Sequence, residues 1–183
     1  MTQEYEELLL KDLCARLPYG VIGKCEIDAS YDTSFDTIFQ THKFDAVVYG
    51  LKEDLLFVTP MIEDMDEQNF AEEEVADGVD ISDFKPYLFP LSSMTDKQAK
   101  EIQEIVGNPD NACIIRKTDG LELWLDSIDT DPTIWVDTIF EIQDYLNKNH
   151  FDYRDLIKKG LAIDATGLNI YWVWKNTMLY FPI

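Results

Sequence analysis

Positive charge is what this chain lacks relative to negative. Fifteen lysines and arginines face 36 aspartates and glutamates, a formal net charge of -21. Such a surface repels nucleic acid and anionic membrane, and it attracts basic proteins and cations. Neither nucleic acid nor membrane is therefore an expected partner. Cysteine is nearly as scarce. Cys14, Cys25 and Cys113 are an odd number at unrelated spacings, which suits neither a disulfide framework nor a zinc site; they read as free, buried thiols. His42 and His150 are the only histidines. A general base needs a positioned partner, and no Ser or Cys nucleophile motif accompanies either one. His42, within Gln40-Thr41-His42-Lys43, reads as part of a surface loop. No apolar run approaches the roughly 18 residues of a membrane span. The first seven residues hold three acids and no base, unlike a secretory leader, so the cytoplasm is the expected location. A glycine-rich phosphate loop is missing as well.

What is present is a chain able to bury a core. Of 183 residues, 46% are hydrophobic and 13% aromatic, which suits a single domain spanning residues 1–183. Its acids peak in one place. Glu63, Asp64, Asp66, Glu67, Glu72, Glu73, Glu74, Asp77, Asp80 and Asp83 fall within 21 residues that contain no base. Residues 62–80 have little periodicity and few large apolar groups, so they read as an acidic loop, with a frayed helix over 67–75 as the alternative.

Periodicity and punctuation place the remaining elements. Thr2 caps a helix over 2–17 whose stripe is Leu9, Leu10, Leu13, Cys14 and Leu17, ended by Pro18 and Gly20. Residues 21–28 alternate as a strand, with Val21, Gly23, Cys25 and Ile27 on one face. Strands at 44–49 and 55–59 flank turn residues that include Glu53 and Asp54. Pro86 and Pro90 argue against helix or central strand over 83–93, which reads as an extended segment. Thr95 and Gln98 form a capping box for a helix to Val106. A hairpin over 113–125 turns at Asp119 and Gly120. Asp131 and Pro132 open a helix to about Lys148, with Trp135, Ile139, Ile142 and Leu146 on one face. A short helix over 153–159 ends at Gly160. Residues 168–174 and 178–181 read as a final aromatic hairpin. Hairpins dominate and helices do not alternate with strands. The expected class is α+β, a mainly antiparallel sheet built from hairpins with three main helices packed on it.

Two segments are distinctive: KPYLFPLSSMT at 85–95 and DYLNKNHFDYRDLIKKGLAIDATGLNIY at 144–171. With LPYG at 17–20, they resemble uncharacterised proteins encoded by gut bacteria and by their phages and prophages. The resemblance implies a phage-related or mobile-element product inside a bacterial host. It brings no activity, cofactor or catalytic residue with it. Read physically, Asn149-His150-Phe151-Asp152 is a corner between helices, where Asp152 caps the second helix, Phe151 packs beneath and Arg154 meets a nearby carboxylate.

Three chemistries fail on spacing. Pro109-Asp110 followed by Glu122 begins a nuclease-like metal pattern, but Trp124 stands where the lysine is needed. Setting Gly78 as the sixth residue of a calcium loop puts Val75 third and Phe84 twelfth, and the ligand set fails. His150 beside Asp152 lacks a nucleophile. No catalytic residue, metal or cofactor is expected. The leading expectation is a non-enzymatic acidic protein that engages a basic protein partner, in its sharpest form as a DNA mimic. Its expected contact residues are Glu63, Asp64, Asp66, Glu67, Glu72, Glu73, Glu74 and Asp77. The alternatives are an enzyme with a site assembled from scattered residues, and an oligomeric phage-related protein that associates through Tyr171, Trp172, Trp174, Tyr180 and Phe181.

Overall fold

The structure, a computed structural model, describes residues 1–32, 37–62, 71–106, 112–117, 120–125 and 132–171. The fold is α+β. Seven strands form one sheet: β1 (Val21–Asp32), β2 (Thr37–Lys52), β3 (Leu55–Pro60), β4 (Val79–Asp80), β5 (Phe84–Pro90), β8 (Phe151–Asp152) and β9 (Ile163–Asp164). Their order is β4-β3-β2-β1-β5-β8, with β9 also on β5. The ladders β4–β3, β3–β2, β2–β1 and β1–β5 are antiparallel, whereas β8 and β9 run parallel to β5. A separate hairpin pairs β6 (Ala112–Lys117) with β7 (Gly120–Leu125). Three long helices complete the structure: α1 (Gln3–Arg16), α2 (Asp96–Val106) and α3 (Pro132–Lys148).

Alternation along β1 and β2 divides the apolar side chains between two faces. Val21 and Cys25 join Phe44, Ala46 and Val48 on the face covered by Leu9 and Leu13 of α1. Ile22 and Val47 lie on the other face with Tyr87 and Ala165, and Tyr171 packs there. A third cluster of Met94, Ile102, Leu146 and Phe151 joins α2 to α3 at the end of β5.

Several expected boundaries shift. Both β1 and β2 run longer than expected, and His42 sits within β2 opposite Ile27, not in a loop. Pro86 lies inside the sheet, with β1 on one part of β5 and β8 and β9 on the rest. It is tolerated because it ends the ladder to β1, and Tyr87 begins the ladder to β9. No helix forms over 153–159: residues 153–155 are irregular or bent and 156–160 form turns, since Asp155 takes a positive φ of 58° that breaks the helical path. Ile139, expected inside, is exposed on α3. Residues 168–169 are irregular and 170–171 helical, so no strand begins there. The rest of the expected C-terminal hairpin lies outside the described residues.

Candidate functional site

Residues 71–80 are not the unanchored loop their composition suggests. A helical turn covers 71–74. Ala71 and Val75, four residues apart, are 2% and 4% exposed and belong to the main core. Val79 and Ile81 follow them inside. This i,i+4 anchoring points Glu72, Glu73 and Glu74 outward, and Asp77 is exposed beyond them. No ion pair engages Glu73, Glu74 or Asp77 among the described residues. Of the expected contact residues, these four acids are brought together on an ordered base. Glu63, Asp64, Asp66 and Glu67 lie outside the described residues.

The acidic surface continues past β4. Asp80 accepts the Ser82 amide at 2.7 Å, and hydrogen bonding from the Ser82 side chain, then from this amide, holds its carboxyl below the usual range. Asp83 moves the other way. Partial burial raises its carboxyl, and Asp80, Asp28 and Glu26 add to the rise against a Ser82 hydroxyl that lowers it. Glu26, Asp28 and Asp83 share a groove of about 430 Å³ with Lys24 and Lys85. The lysines are partly committed elsewhere, since Lys24 pairs with Asp45 at 3.1 Å.

Asp83 makes a pH prediction with a definite sign. Its folded form binds the proton more tightly than the unfolded chain does, so its ionisation lowers stability as pH rises above the ordinary carboxylate range. Asp83→Asn should therefore match wild type at pH 3.5 and exceed it at pH 7, by less than about 0.5 kcal/mol for so exposed a group. Urea titrations at the two pH values check this.

The strongest polar constellation is buried and was only half legible. Asp12 and Arg16 are both 0% exposed. Arg16 grips Asp12 with Nε to Oδ2 at 2.7 Å and Nη2 to Oδ1 at 3.1 Å. Arg154 donates to the same Oδ1 at 2.9 Å, which is the carboxylate partner expected for it. Arg16 also donates to the main-chain oxygen of Phe151 at 2.7 Å and reaches that of Leu146 at 3.5 Å. Leu146 is in the last turn of α3, where carbonyls lack helical partners and attract cations. Both guanidinium groups lie over the Tyr153 ring. Asp152 caps no helix, since none follows it, but its two oxygens accept the turn amides of Leu156 at 2.9 Å and Ile157 at 2.8 Å. Every member of this set is engaged within the chain, so it is a structural joint. The i,i+4 spacing of Asp12 and Arg16 was its only sequence signal.

Among the described residues, no group of three or more His, Cys, Asp or Glu is arranged to hold a metal ion. Nor is any helix there long and apolar enough to cross a membrane. Both described cysteines are free thiols; Cys25 is buried as expected, whereas Cys14, expected inside on the α1 stripe, is exposed; the Cys113 side chain is outside the described set. Burial pushes the Cys25 thiol up to about 12, with Asp83 and Asp45 adding to it. A thiol reacts as thiolate, so a disulfide reagent at pH 8 should modify Cys14 promptly and Cys25 only after unfolding. Peptide mapping that finds the two modified at equal rates would contradict the placement of Cys25.

One concave feature was missed. A cavity of about 390 Å³ lies between the end of β5, the start of α2 and the corner after α3. His150 forms its floor, stacked on Tyr171 with ring centroids 3.8 Å apart. His150 occupies the helix-ending position at φ 57°, and its amide donates to Asn147. The sequence showed the corner but not the concavity, because β5 and α2 come from a remote part of the chain. Comparison with protein-family models, with curated proteins and with solved structures found no match.

Proposed function

We propose that this is a non-enzymatic acidic interaction protein of phage or mobile-element origin. It works in the cytoplasm of a bacterial host and engages a basic protein partner. The origin rests on the resemblance of residues 85–95 and 144–171. The contact reading rests on one observation above others: three consecutive glutamates are exposed between the buried anchors Ala71 and Val75. Carboxylates on a turn anchored in the core cost less backbone freedom when a cationic surface docks than those of an unanchored loop would. The formal charge of -21 supplies long-range attraction toward such a partner. In the narrower form of this reading the carboxylates imitate phosphates, and duplex DNA competes for the same partner.

The test is comparative capture from host lysate. Replacing Glu72, Glu73 and Glu74 with Gln removes three charges at solvated positions and should leave the fold intact. A control with Glu7, Glu104 and Glu141 replaced by Gln removes the same charge from other exposed sites. The first variant should lose a basic partner that wild type and the control both retain. Equal retention by all three would reduce the acidic turn to a solubility feature.

A further inference from the structure

The cavity over His150 differs from the rest of the surface in the sign of its charge. The chain carries 36 acids in 183 residues, yet the described residues that line the cavity include none. Their one charged group is Lys148, exposed in the last turn of α3. No ion pair or hydrogen bond engages its ammonium among the described residues. Lys148 borders a second hollow on its other side, with Glu141 and Asp144, so it stands between a carboxylate-lined surface and this one. A second donor is available. The Gln98 side-chain oxygen accepts from the amide and hydroxyl of Thr95 at 2.9 and 2.8 Å, which leaves its NH₂ for another acceptor.

The apolar part of the site is aromatic, with Phe89 tilted 46° to Tyr171. His150 and Tyr171 are stacked within 14° of parallel. Phe89 adjoins Tyr171 with centroids 6.0 Å apart. The Tyr171 ring is fixed from behind, since its hydroxyl donates to the main-chain oxygen of Tyr87 at 2.6 Å. An aromatic floor, two donors on the rim and about 390 Å³ of space make a small-molecule site. We propose that it binds a small organic anion with a planar apolar body, the anionic group at Lys148 and Gln98 and the plane against the aromatic floor. This ligand class is opposite in charge to the protein partner proposed above, so the two readings stand or fall separately.

Titration of ¹⁵N-labelled protein with naphthalene-1-carboxylate tests the inference, with the neutral naphthalene-1-carboxamide as its counterpart. Saturable shifts are expected for amides of residues 93–98, 148–151 and 166–167. The carboxamide should bind about tenfold more weakly, the effect of one lost charge-assisted contact. Lys148→Gln should weaken the carboxylate by about the same factor with Tm unchanged, because the side chain is solvated. Lys158→Gln, at an exposed lysine outside the cavity, should leave binding unchanged. The inference is overturned by equal binding of acid and amide, by a Lys148→Gln variant that binds like wild type, by shifts centred elsewhere, or by no saturable shift up to about 10 mM.

Discussion

Asp12→Ala is expected to destabilise the fold by about 3–5 kcal/mol, lowering Tm by on the order of 10 °C. The carboxylate is fully buried and shared by two arginines, Arg16 at 2.7 Å and Arg154 at 2.9 Å. Removing it leaves two guanidinium groups facing each other without a counter-ion, one of them with no access to water. Neither can leave easily, because Arg16 also holds the Phe151 and Leu146 carbonyls. Replacing the whole set should cost less. Asp12→Leu with Arg16→Met and Arg154→Met removes all three charges of this set at similar volume, and such exchanges are often near neutral. Thermal and urea unfolding should rank the triple variant above Asp12→Ala. The opposite order would mean that the arginines' bonds to main-chain carbonyls, not the balance of charge, hold the corner together.

Gly23→Ala is expected to be similarly damaging, by about 3 kcal/mol or more. A Cβ added at Gly23 would lie 2.3 Å from Cζ of Phe84 and 2.5 Å from the main-chain oxygen of Lys85. The ring is fully buried, and the oxygen belongs to β5 paired with β1 at this point. Neither can withdraw without opening the ladder. The glycine is therefore required by a close approach of strand and ring. Gly160→Ala offers the contrast, because nothing lies within 4 Å of its Cβ position, although its φ of 73° adds backbone strain. A Gly23→Ala protein as stable as wild type would contradict the packing of Phe84 across β1.

Local signals carried much of this fold. Thr2 caps α1, and Thr95 and Gln98 exchange the bonds of a capping box. Pro132 opens α3 and Lys148 ends it. Each of these depends on residues within one turn of each other. What escaped the sequence depends on distant partners. β8 and β9 are two-residue strands that exist only because β5 offers them an edge. Pro86 is acceptable in the sheet only because β5 changes partners there. The turn at 71–74 looked unanchored because alanine and a single valine are weak signals of burial until α1 and the sheet surround them. For the candidate sites the division is the same. Glu72, Glu73, Glu74 and Asp77 were legible as charge, but their ordered base was not. The hollow at His150 was invisible because its walls come from residues 89–98 and 148–171.

The most direct measurement is the salt dependence of affinity for the captured basic partner, compared between wild type and the Glu72, Glu73 and Glu74→Gln variant. An exposed charged contact is screened over about 8 Å at physiological salt, so wild-type affinity should fall steeply as salt rises, chiefly through a slower on-rate. The variant should bind more weakly at low salt and show a shallower slope, with the two curves converging at high salt. Parallel curves of equal slope and affinity would contradict a role for the acidic turn in binding.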